Sequence, residues 1–170
     1  MRNIVLVGFM GTGKTVVGKL LSKTLSREFL ELDEIIERKE NLSIREIFEK
    51  KGEPYFRKLE KDAVKEAAHR QGLIISAGGG AIVDEGNLKL LKENSILICL
   101  EASIGVILER IGRRLTERPL LNVPDPKKRI EELLKKRLPY YKKADLCINT
   151  DNLTVQQVVD KIDMGIVREK

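Results

Sequence analysis

Lys14 and Thr15 close the run Gly8-Phe9-Met10-Gly11-Thr12-Gly13-Lys14-Thr15, and this spacing of glycines, lysine and hydroxyl suits a polyphosphate. Gly8, Gly11 and Gly13 let the backbone curl so that successive N–H groups point at phosphate oxygens. The helix expected after them adds its N-terminal partial charge. Lys14 can span the β- and γ-phosphates, and the Thr15 hydroxyl can ligate Mg²⁺. An apolar run, Ile4-Val5-Leu6-Val7, leads in, and Val16 to Leu25 leads out as a helix former. A plain glycine-rich turn would not need all four fixed positions, so the chain is expected to bind a nucleoside triphosphate.

Other residues could act on a second substrate. In open α/β sheets, ligands bind beyond the carboxyl ends of the strands. The second apolar run ends Glu31-Leu32-Asp33; read as one strand, it projects both carboxylates from a single face. One could hold Mg²⁺ through water, and the other could orient or deprotonate a hydroxyl. A helix cap for Asp33 and a solvated Glu31 are the alternatives. Gly78-Gly79-Gly80 follows a third apolar run and offers either bare N–H donors or only a flexible turn. Arg57 lies one turn before Glu60, where a simple helical ion pair is the alternative reading. Arg118 sits in a proline-rich loop, where it could swing onto a phosphoryl group. Arg137 sits in a helix that otherwise reads as a Lys/Glu surface.

Positioning these groups takes five short strands, at 3–7, 29–32, 73–77, 95–100 and 145–149. Most are apolar nearly throughout, as in a parallel sheet covered on both faces. Helical patterns occupy 14–26, 33–40, 43–50, 53–71, 84–93, 103–112, 126–143 and 154–168. Ser43 with Glu46 matches a capping box, and Ser103 and Thr154 are plausible caps. The alternation predicts one three-layer, doubly wound α/β domain over 1–170. Two stretches depart from it: a helical insert at about 33–61, and a loop at about 112–125 whose prolines no helix can run through. A loop this long in a compact domain suggests a lid.

Composition narrows the classes. No apolar run approaches a membrane span, and nothing resembles a leader, so cytoplasm is the expected location. Net charge is +6, but 26 acidic residues are interspersed with 32 basic ones and aromatics are 4%, which argues against a nucleic-acid surface. His69, the one histidine, excludes a His-ligated zinc cluster. Cys99 and Cys147 lie in apolar runs without C-x-x-C spacing and read as small buried hydrophobes. No apolar stripe is left over, so a monomer is expected.

Taken in order, these segments resemble the shikimate kinases. The similarity is carried by the phosphate loop at 8–15, Leu32-Asp33, Glu53-Pro54-Tyr55-Phe56-Arg57-Lys58-Leu59-Glu60, Gly78-Gly79-Gly80-Ala81, Arg118-Pro119-Leu120-Leu121, and Arg137 before Pro139-Tyr140-Tyr141. The resemblance implies strand order 2-3-1-4-5 and transfer of the γ-phosphoryl of ATP to the 3-hydroxyl of shikimate, with Mg²⁺. It implies that Gly11, Thr12, Gly13, Lys14, Thr15 and Val16 bind the nucleotide, with Arg110 against adenine and Arg118 reaching the phosphates. Asp33 would take shikimate hydroxyls, Arg57 and Arg137 its carboxylate, and the Gly79 N–H a further oxygen. Glu60 would brace Arg57, and Phe48 and Phe56 would wall the pocket. Lys14, Asp33 and Arg118 would be the catalytic set. Glu31 stands where the family often has Asp holding Mg²⁺ through water, and its extra methylene can shift that contact. Kinases of gluconate or a nucleoside monophosphate share the architecture. A nucleotide switch or motor is a more distant alternative, disfavoured by the lack of an N-K-x-D sequence.

Overall fold

The computed structural model describes residues 1–168, with side chains throughout except at 113, 114, 116, 167 and 168. Five strands form one sheet: β1 (Asn3–Val7), β2 (Phe29–Glu31), β3 (Ile74–Ser76), β4 (Ser95–Glu101) and β5 (Leu146–Asn149). Their order is β2-β3-β1-β4-β5, every pairing is parallel, and β1 is central. This is the expected doubly wound arrangement.

Alternation along β1 builds the layers. Ile4 and Leu6 face one side with Ile74, Ile98 and Leu100, packed on Val17 and Leu21 of α1 (Lys14–Leu25) and Val158 and Ile162 of α7 (Val155–Arg168). Val5 and Val7 face the other side with Ile75, Leu97 and Cys99. There they meet α2 (Leu32–Glu40), α3 (Ile44–Ala68), α4 (Glu85–Glu93) and Tyr141 of α6 (Pro126–Tyr141). Both faces are dry, so β1 is buried at every position. A third cluster joins Phe9 to Ile107 and Ile111 of α5 (Ile104–Ile111), to Leu121, and to Ile130 and Leu133 of α6. It fixes the base of the proline-rich loop against the phosphate loop.

The expected helix starts are present. Ser43 and Glu46 form the reciprocal capping box, and the hydroxyls of Ser103 and Thr154 accept from Val106 and Gln157 N–H groups. The expected break between helices at 50 and 53 survives as a kink in α3, where Gly52 takes φ 81°. The segment after α5 is not a continuous helix; short 3₁₀ turns occupy Gly112–Glu117 and Pro119–Leu121. Three expectations need correction. β2 stops at Glu31, so Leu32 opens α2, and Asp33 belongs to a helix rather than a strand. α3 ends at Ala68, short of the predicted 71, with exposed His69 at its C-cap. Cys99 is buried, but Cys147 is exposed, because β5 is an edge strand. Among the described residues no helix is long and apolar enough to cross a membrane.

Candidate active site

At the carboxyl edge of the sheet, a cavity of about 640 Å³ joins the phosphate loop to the insert and the proline-rich loop. Its walls include Gly11, Gly13, Lys14, Thr15, Val16, Glu31, Asp33, Arg57, Gly79, Arg110, Arg118 and Arg137, almost the whole set singled out from the sequence. Thr12 is the exception. It is buried beneath the loop, and its hydroxyl donates to the Phe9 carbonyl at 2.7 Å. Phe48 and Phe56 form an aromatic wall with ring centroids 4.9 Å apart. Met10, Ile44, Pro119 and Leu120 complete the apolar lining and were not singled out.

The nucleotide half is a nest of backbone donors with one buried cation. Gly8 has φ 133°, and a Cβ there would press on the Leu100 carbonyl, so only glycine lets the loop lie against β4. Lys14 Nζ donates to the carbonyls of Gly8 at 2.9 Å and Phe9 at 3.1 Å. Burial lowers its pKa to about 8, against the opposing pull of Glu31 and Asp33. A latch not visible in the sequence holds the loop from behind. The Thr150 hydroxyl donates to the carbonyls of Thr12 and Glu101, while Arg110 donates to the Gly11 carbonyl and to both oxygens of Thr150. Arg110 therefore lines the cavity as an anchored guanidinium rather than a free one.

Beside Lys14, the Thr15 hydroxyl donates to Glu31 Oε2 at 2.7 Å. Burial raises the Glu31 pKa, and the Thr15 bond opposes the shift. Ser76 pairs with Glu31 in the β2–β3 register, and its buried hydroxyl sits close enough to that carboxylate to oppose the shift too, without a well-aligned hydrogen bond among the described residues. Two hydroxyls and a carboxylate beside a phosphate loop are all hard oxygen donors, and the set fits Mg²⁺.

The acceptor half converges on the triple glycine. Cβ atoms at Gly78, Gly79 and Gly80 would stand 2.9 Å from Glu60 Oε1, 3.1 Å from Arg137 Nη1 and 2.7 Å from Arg57 Nη1. Bare backbone is what lets these side chains close over it. Asp33 also reaches this floor, from the first turn of α2, and burial raises its pKa against the pull of Lys14 and Arg118. Arg57 donates to Glu60 Oε2 at 2.7 Å and to Glu53 at 3.0 and 3.2 Å, so the helical ion pair and the cavity position coexist. Glu60 is only 2% exposed, and burial raises its pKa in opposition to Arg57. Arg137 is 5% exposed, stacks its guanidinium 5.4 Å from the Phe9 ring centre, and leaves Nη1 without a hydrogen-bond partner among the described residues. One turn on, Tyr141 donates to the Gly79 carbonyl at 2.7 Å. That contact was not anticipated: Tyr141 lies 62 residues from Gly79 in sequence.

A buried guanidinium nitrogen without an acceptor costs free energy unless a ligand supplies one. The cleft thus pairs a triphosphate cradle with a cationic pocket for a small hydroxylated anion.

Comparison with known proteins identifies the family. A family model described as shikimate kinase matches residues 10–165. The shikimate kinase of Thermodesulfovibrio yellowstonii is 48% identical over 162 residues, covering 95% of this chain and 93% of that one. That of Caldanaerobacter subterraneus is 44% identical over 170 residues, covering 100% and 99%. The structure of shikimate kinase from Acinetobacter baumannii in complex with shikimate superposes with TM-score 0.96 at 40% identity, covering 100% of this chain and 95% of that one.

Proposed function

The chain belongs to the shikimate kinase family, and on that premise we propose how its cleft moves the γ-phosphoryl group of ATP to the 3-hydroxyl of shikimate. The observation that carries the assignment of roles is Arg137, an almost fully buried guanidinium that lines the same cavity as the phosphate loop. In this reading Arg137 and Arg57 take the carboxylate, since planar guanidinium forks suit that group. Glu60 holds Arg57 in place, and the Gly79 N–H, positioned by Tyr141, meets a further oxygen.

Asp33 orients the attacking hydroxyl and accepts its proton; a pKa raised by burial suits that task. The hydroxyl oxygen forms a bond to the γ-phosphorus as the bond to the β-phosphate bridging oxygen breaks, which leaves ADP. Lys14 and the loop N–H groups neutralise the charge gathering on the phosphate oxygens. Arg118 adds to this from the 112–125 segment, which acts as a lid; its charge is already felt by Lys14 and Asp33. Closure of the lid keeps water from the phosphoryl group. Thr15 would hold Mg²⁺ directly, and Glu31 and Ser76 would hold it through water. When bound, Mg²⁺ offsets phosphate charge as a Lewis acid.

ADP release measured with shikimate, gluconate and AMP as acceptors tests the proposal, with the product identified by phosphorus NMR. Turnover of shikimate alone, to the 3-phosphate, is expected. Turnover of gluconate or AMP without shikimate would overturn the acceptor assignment.

A further inference from the structure

Away from the cleft, β4 and β5 bring together a group the reaction does not use. Cys99 and Cys147 are directly paired across the two parallel strands, so both thiols leave the same face of the sheet. Glu101 lies two residues beyond Cys99 and shares that face. The two Sγ atoms and a Glu101 carboxylate oxygen all lie within 4.8 Å of one another.

Nothing else satisfies this group. Among the described residues the thiols reach each other and one main-chain carbonyl apiece, Cys99 that of Leu100 at 3.9 Å and Cys147 that of Tyr141 at 4.0 Å. Glu101 is partly buried and has no hydrogen-bond or ion-pair partner for its carboxylate among the described residues. Two thiols and an acid on a half-buried patch lack one thing, a cation.

We propose that Cys99, Cys147 and Glu101 form a site for a thiolate-preferring d¹⁰ divalent cation of the zinc class, distinct from the Mg²⁺ position in the phosphate loop. Tetrahedral zinc takes sulfur at about 2.3 Å and carboxylate oxygen at about 2.1 Å, so its donors stand roughly 3.5–3.8 Å apart. The present spread, at most 4.8 Å, has to contract by about an ångström to reach that spacing. Glu101 also borders a cavity of about 240 Å³, and Cys147 is exposed, so water can supply the fourth donor.

Charge and protons balance. Burial holds the Cys99 thiol protonated, helped by the Cys147 thiol and the Glu101 carboxylate, and burial and Glu101 act likewise on Cys147. The cation must therefore displace two protons, leaving two thiolates and one carboxylate around it. Exposed Cys147 on the edge strand gives the ion its way in. Once bound, it would clasp β5 to β4 just before Thr150, the residue that holds Thr12 and Arg110 behind the phosphate loop. The site is a structural clasp for the strand ends that carry the nucleotide half of the cleft.

The reduced full-length protein, with excess Mg²⁺ to fill oxygen-donor sites, is titrated with Cd²⁺ and separately with Zn²⁺. One equivalent of Cd²⁺ should give a thiolate-to-metal charge-transfer band in the ultraviolet and release two protons. Zn²⁺ should raise the melting temperature of wild type but not that of Cys147→Ser, whose exposed position tolerates the change. Glu101→Gln, which keeps both thiols, should weaken Cd²⁺ binding by at least about tenfold, the cost that even an outer partner of a metal ligand carries. Absence of the band overturns the proposal, as does binding unchanged in Glu101→Gln. So does a stoichiometry of one ion per two chains, which would mean that Cys147 thiols bridge separate molecules.

Discussion

In the proposed mechanism Lys14 must be charged to neutralise phosphate oxygens, yet burial lowers its pKa from 10.5 to about 8. In the free enzyme the proton is lost as pH rises through about 8, so kcat/KM for ATP should fall tenfold per unit above that point. Bound phosphates favour the protonated form, so kcat should hold its plateau to higher pH. A kcat/KM that stays flat well above pH 8 would show that Lys14 charge is not limiting. The stability effect runs the other way. Between about 8 and 10.5 the unfolded chain holds a proton on Lys14 that the folded one lacks, so this group makes stability rise with pH across that window. Arg137 carries a related tension, a buried guanidinium nitrogen without a partner among the described residues. Arg137→Met should leave the melting temperature of the ligand-free protein equal to or above that of wild type, while shikimate KM rises steeply. A lower melting temperature would mean that the guanidinium supports the fold.

The acceptor floor depends on an element pair distant in sequence, the turn after β3 and the C-terminal end of α6. Tyr141 ties them by donating to the Gly79 carbonyl. Tyr141→Phe should cost about 1 kcal/mol of stability in chemical denaturation, the usual worth of one hydrogen bond, and raise shikimate KM with ATP KM unchanged. Equal effects on both substrates would place the tie elsewhere. Elements of this kind were partly legible in the sequence. β1 and β4 read from their apolar runs because both faces are buried, and the Ser43–Glu46 cap read because its chemistry is local. The end of β2 misread by one residue, since Leu32 is apolar and 0% exposed whether it closes a strand or opens a helix. As a result, Glu31 and Asp33 share the cavity through a strand-to-helix turn, not through strand alternation. The Thr150–Arg110 latch and the Tyr141 contact could not be read, because each joins residues at least 40 positions apart. Exposure of Cys147 was hidden for a similar reason: an edge strand and an inner strand can carry the same apolar letters.

At the scale of the whole molecule, two core layers hold a parallel sheet whose carboxyl edge presents one cavity with two chemical halves. The third cluster, around Phe9, links the base of the proline-rich loop, α6 and the phosphate loop. Phe9 also lies under the Arg137 guanidinium, so the donor and acceptor halves share a supporting ring. This coupling explains why the fold can present a compact anion pocket without a separate domain. Its central claim is that the carboxylate of shikimate is read by Arg137. Shikimate and its neutral methyl ester, each assayed with wild type and with Arg137→Met, form a cycle that isolates this contact. The account predicts that esterification lowers kcat/KM of wild type by roughly 30-fold or more, the counterpart of about 2 kcal/mol for a buried charge pair, and costs the variant little further. An equal penalty for the ester in both proteins would contradict it.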